Sequence, residues 1–96
     1  MPESPVSLDP QRLTATVGAM HAKLNRREFA LLVALSQASG ATLGHNNLLT
    51  TIWWPDAPMP NLRMAIGGLR RKLEADPELP TLIVTVPGEG YRLGRP

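Results

Sequence analysis

Cysteine is absent from the 96 residues, which excludes disulfides, thiolate metal sites and a cysteine nucleophile and fits a reducing compartment. No apolar run reaches the ~18 residues that a membrane-spanning helix needs, so no membrane segment is expected. The opening Met1-Pro2-Glu3-Ser4-Pro5 has neither a basic n-region nor an apolar h-region, so no signal peptide is expected and the expected location is the cytoplasm. Neither charge sign dominates: ten Lys and Arg against eight Asp and Glu leave a net +2, too little by itself to imply nucleic acid. The acids show no paired arrangement for general acid-base work, and His21 and His45 have no second ligand at metal spacing. Gly88-Glu89-Gly90 lacks the third glycine and following helix of a phosphate cradle. No enzyme, cofactor or metal is therefore expected, and there is no internal repeat.

What the chain does have is a hydrophobic fraction of 43%, enough for a globular fold of one small domain. Ten prolines and eight glycines cut it into short elements. Val6–Leu8, Leu13–Val17 and Ala19–Ala22 read as short strands of an antiparallel meander. Asn25 with Glu28 three residues on has capping-box spacing and opens a helix over Arg26–Ser39, apolar on most sides. A second helix, His45–Trp53, follows from Leu48, Leu49, Ile52 and Trp53 on one face, with Gly44 as its N-cap. Three prolines make Trp54–Pro60 a loop. A third helix over Asn61–Ala75 carries Leu62, Ile66, Leu69 and Leu73 on one stripe, and its ~22 Å length suits a DNA major groove. Leu82–Val86 and Tyr91–Leu93 form a hairpin about Pro87–Gly90. Helix, basic helix and hairpin in this order describe an α+β winged helix-turn-helix occupying 6–93, with tails at 1–5 and 94–96.

Four segments then resemble the OmpR/PhoB class of response-regulator effector domains. They are Leu24–Leu32, Leu48–Trp53, Leu69–Glu74 with Asp76-Pro77, and Thr85–Leu93, in that order along nearly the whole chain. Leu62–Arg70 looks most like the branch that regulates potassium-transport operons; the common form has Asp where this chain has Arg63. The resemblance implies an N-terminal four-stranded sheet, three helices and a C-terminal hairpin. It implies promoter binding in bacteria, with helix three in the major groove of double-stranded DNA and the wing at the minor groove. The loop from Trp54 to Pro60 corresponds to one that relatives use to touch RNA polymerase, which makes Trp54, Asp56 and Met59 candidate partner contacts. Relatives usually carry a receiver domain of a two-component system ahead of this one; here the domain is either excised or a stand-alone regulator. The isolated domain is expected to be monomeric, with head-to-tail dimers on direct repeats.

The candidate DNA-contacting residues are Asn46, Asn61, Arg63, Met64, Gly67, Arg70, Arg71, Lys72 and Thr85. Arg63 and Arg70 are expected to carry most of the contact, since an arginine can bond guanine O6 and N7 together. The alternative is a solvated helix face with Arg70 paired to Glu74, worth about 0.3–0.5 kcal/mol. The resemblance makes a basic residue usual where this chain has Gly68 and Pro87, a His usual at Ala65 and an Arg at His45, so direct base readout should be thin. Gly67-Gly68 costs about 2 kcal/mol in a helix interior relative to two alanines. It serves either close approach to DNA or close packing against another helix. Trp53 belongs to the core face, while Trp54 either packs across its loop or meets a partner. If the DNA face has eroded, the fold would serve as a protein-interaction module instead.

Overall fold

A computed structural model describes residues 5–94, so most of both expected tails lies outside the described residues. Gly94, assigned from sequence to the C-terminal tail, is instead buried, and its N–H donates to the Leu82 carbonyl at 2.6 Å. The elements are β1 Ser7–Asp9, β2 Thr14–Val17, β3 Met20–Lys23, α1 Arg26–Gln37, β4 Leu43–Gly44, α2 His45–Ile52, α3 Met59–Leu73, β5 Ile83–Val86 and β6 Gly90–Leu93.

The first sheet is an antiparallel meander in the order β1-β2-β3, with Ala15 opposite Ala22 and Leu8. It has three strands among the described residues, which corrects the expectation of four. On β2 the alternation is clean: Ala15 and Val17 are buried and Thr14 and Thr16 half-buried, so one face of the meander covers the helices. The second sheet runs β4-β6-β5, with β6 central. Its third strand, β4, went unforeseen because two residues are too few to show alternation. Its pairing needs Gly90, since a β-carbon there would collide with the Leu43 backbone.

The capping box at α1 forms as expected: Glu28 N–H donates to Asn25 Oδ1 at 2.8 Å and Asn25 N–H donates to Glu28 Oε1 at 2.9 Å. The helix stops two residues before the expected Ser39, because Ser39 (φ 53°) and Gly40 (φ 91°) take left-handed backbone. Gly44 caps α2 without a side-chain bond, and Trp53 stands just past the end of that helix rather than inside it.

α3 starts at Met59 and ends at Leu73, two residues earlier at each end than its apolar stripe suggested. Pro60 sits in the first turn, where a missing N–H breaks no helical bond. At the other end Glu74 leaves the helix (ψ 140°) and turns its buried carboxylate onto the backbone N–H groups of Thr81, Leu82 and Ile83 at 2.8–3.1 Å. Those charge-assisted bonds satisfy two buried donors, on Leu82 and Ile83, and a part-buried one on Thr81, and fix the path into β5. The core is built where the three helices meet the second sheet, from Leu31, Leu32, Leu35, Leu48, Leu62, Ile66, Leu69, Leu73, Leu82 and Ile83. No helix among the described residues is long and apolar enough to cross a membrane.

Candidate nucleic-acid interface

α3 buries Leu62, Ala65, Ile66, Leu69 and Leu73 and turns Arg63, Met64 and Arg71 to solvent. Met64 is 75% exposed on that face, one of the two most exposed large apolar side chains among the described residues, with Leu79. Asn61 is half-buried on the side toward α1, and Gly67 is half-buried beneath Arg71. Ala65 is buried, with its methyl group at the edge of an open groove along α3.

Arg70 is not a loose surface cation. Its Nε and Nη2 donate to the Ile83 carbonyl at 3.2 and 2.9 Å, and Nη2 also donates to Thr85 Oγ1 at 2.8 Å. The guanidinium lies 5.8 Å from the centre of the Tyr91 ring. This arginine therefore locks α3 to the β5–β6 hairpin, with Nη1 left unbonded among the described residues. The alternative pairing with Glu74 is excluded, because the Glu74 carboxylate is spent on the β5 backbone. Arg70 and Thr85, two candidates 15 residues apart, are bonded to each other.

Lys72 is also committed. Its Nζ stands 2.6 Å from Glu28 Oε1, and Glu28 is 4% exposed. The same carboxylate lies directly over Gly68, where any β-carbon would collide with Glu28 Oε2. Of the two readings left open for the paired glycines, close helix packing accounts for Gly68. Gly68 is covered by an acid, and the balancing cation comes from one turn further along α3. Gly67 has a different surrounding: a β-carbon there would meet only Arg71 Nη1 at 3.3 Å. The Arg71 side chain therefore runs back along the helix over the glycine trough, as long helical side chains do, and its charge sits a turn nearer Met64 than its sequence position suggests.

At the start of α2, Asn46 is exposed, while Asn47 accepts from Thr51 at 3.2 Å. His45 donates its backbone N–H to the Glu89 carbonyl at 3.2 Å and sets its ring edge-on to Tyr91, so the hairpin is anchored to α2 as well. Of the three partner-loop candidates, Trp54 and Asp56 are exposed. Met59 is corrected: it stands in the first turn of α3 and packs against the core.

The sequence reading missed Arg27. Its guanidinium lies 5.5 Å from the Trp53 ring centre and 5.9 Å from that of Trp54. Between Arg27 and Arg71 an open groove of about 450 Å³ runs along α3, bordered also by Asn61 and Met64 and floored by Glu28 and Gly68. A signal was present: Arg26 and Arg27 fill the first turn of a helix, where cations are disfavoured.

The model of the family described as "Transcriptional regulatory protein, C terminal" matches residues 19–93. The chain belongs to that family. It is 38% identical over 93 residues to the DNA-binding dual master transcriptional regulator RpaA of Synechocystis sp., covering 95% of this chain and 39% of that protein. It is 42% identical over 92 residues to the response regulator MprA of Mycobacterium ulcerans, covering 94% of this chain and 39% of that protein. The chain thus spans about two fifths of the length of these curated relatives. Among solved structures, the DNA-binding domain of CpxR from E. coli superposes with a TM-score of 0.76 at 26% identity over 99% of this chain and 95% of that one. The AdeR DNA-binding domain, solved with an intercistronic region, superposes at 0.78 over the whole of both chains at 19% identity, a likeness of fold. The architecture is a winged helix-turn-helix: α2 and α3 with the β5–β6 hairpin as wing.

Proposed function

We propose that this family member binds double-stranded DNA sequence-specifically and regulates transcription in the bacterial cytoplasm, as a response-regulator effector domain or a stand-alone relative. α3 would enter the major groove, with the β5–β6 wing at the adjacent minor groove. The observation that carries the reading is the solvent face of α3. Arg63, Met64 and Arg71 project from it, while Arg70 and Lys72 are held by Ile83, Thr85 and Glu28. Contact therefore falls to Arg63 and Arg71, with Asn46, Asn61 and Thr85 as polar neighbours. Met64 meets the apolar edge of a base, where a thymine methyl is its natural partner. Arg70 acts by holding the wing. The likeness of Leu62–Arg70 to the potassium-operon branch supports a promoter of that class. The domain is proposed to be a monomer off DNA and to pair head-to-tail on direct repeats.

Selection of duplexes from random-sequence DNA, followed by fluorescence anisotropy against salt, tests this. A preferred sequence should emerge, its affinity falling with salt at a slope of about −0.9 per phosphate neutralised. Absence of binding to any selected or promoter duplex at low salt would sink the proposal. A second reading rests on Trp54, 49% exposed in the loop before α3. It makes this loop a contact for RNA polymerase. Capture of polymerase that survives high salt and is lost in Trp54→Ala supports it; unchanged capture by that variant rejects it.

A further inference from the structure

Arg27 is a cation placed against the local electrostatics of its own helix. It occupies the second position of α1, beside N–H groups that favour an anion. Among the described residues it has no ion pair and no hydrogen bond through its side chain. It is held only by cation–π contact with Trp53 and Trp54. Such contact consumes no hydrogen-bond donor, so the N–H groups of the guanidinium stay free. Arg27 borders the 450 Å³ groove, with Arg71 on the opposite bank. The acid on the groove floor is already balanced, since Glu28 accepts from Lys72 and from the Asn25 N–H. The groove is therefore positive on both banks and neutral beneath.

We infer that this groove is a phosphate site: Arg27 of α1 and Arg71 of α3 clamp one phosphodiester of the DNA strand bordering the α1 side of the recognition helix. The inference rests on the proposed DNA binding. A helix lying in a major groove about 12 Å wide has a sugar-phosphate strand on each side. The wing, with Thr85, faces one strand, and α1 faces the other. Packed helices stand about 8–10 Å apart, so a side chain on α1 falls outside the reach of base edges and level with the backbone. A contact there adds affinity and fixes orientation without reading sequence. Arg26, exposed beside Arg27 but not bordering the groove, takes no part.

The test compares wild type, Arg27→Gln, Arg27→Lys and Arg26→Gln on a selected duplex and on a scrambled one. Arg27→Gln should reduce the salt slope by about 0.9 on both, so that its disadvantage shrinks about threefold between about 50 and 200 mM salt. Arg27→Lys should restore the slope, and Arg26→Gln should leave it unchanged. Replacing single phosphates by neutral methylphosphonates should find one position that weakens wild type and weakens Arg27→Gln clearly less, because only Arg71 still holds that phosphate there. An unchanged slope in Arg27→Gln, or an equal loss in Arg26→Gln, overturns the clamp while DNA binding stands. Loss of polymerase capture in Arg27→Gln with DNA binding intact would make the groove a protein site and also overturns it. If wild type itself fails to bind duplex DNA, the functional reading falls and this inference falls with it.

Discussion

The two sides of α3 hold their arginines by different means. On the wing side Arg70 is fixed by three directed hydrogen bonds to Ile83 and Thr85, which consume most of its donors. On the α1 side Arg27 is held by cation–π contact alone, which consumes none. A hydrogen-bonded guanidinium is a structural strut, and one held only over aromatic rings remains available to a ligand. The same contrast runs through the glycines: Gly68 is covered by a buried carboxylate, whereas one residue earlier, about 100° around the helix, Gly67 lies under the exposed Arg71 side chain.

The sharpest way to break the comparison is Gly68→Ala. Its methyl group must displace Glu28 from a buried, doubly bonded position, so the domain should lose about 2 kcal/mol despite alanine's better helix propensity. Urea unfolding measures it, and adding Glu28→Ala should recover part of the loss, because the collision is then gone. Next in size, Arg70→Lys should cost about 1–2 kcal/mol through the lost fork to Ile83 and Thr85. It should also weaken DNA binding equally on selected and scrambled sequences; a change in sequence preference instead would make Arg70 a base reader. Lys72→Met leaves Glu28 without its cation and should cost about 1 kcal/mol, a modest figure because the lysine is partly solvated. Thermal melting that is unaltered would show the pair to be idle. Smallest and opposite in sign, Gly67→Ala should stabilise by about 0.5–1 kcal/mol, since only Arg71 has to yield. If this variant also loses DNA affinity, the trough matters for where Arg71 lies.

Much of the scaffold was readable because its signals are local. Asn25 and Glu28 announce the start of α1 three residues apart, and the leucine stripe of α3 repeats every turn. The errors arose where a residue's partner lies elsewhere in the chain. Pro60 looked like a barrier but falls in the one turn that tolerates it, and Glu74 leaves α3 for donors seven to nine residues on. The site was less legible than the fold. The basic run Arg70-Arg71-Lys72 looks uniform in sequence, yet its members have three different fates. Arg70 is bonded 13 residues away, Lys72 is paired 44 residues away, and Arg71 alone stays open to solvent. Arg27 was overlooked because its value comes from two indoles just past the end of α2, about 26 residues along the chain.

The wing is tied at three places: to α3 through Arg70, to α2 through His45, and to β4 through the close approach at Gly90. Such a bracing turns helix and wing into the fixed jaws of a caliper. On the proposed duplex, a rigid caliper gauges the separation between one major groove and the next minor groove, a quantity set by local twist and groove width. A domain with few base-reading side chains would then still discriminate between sites, by how readily each stretch of DNA takes up the gauge it imposes.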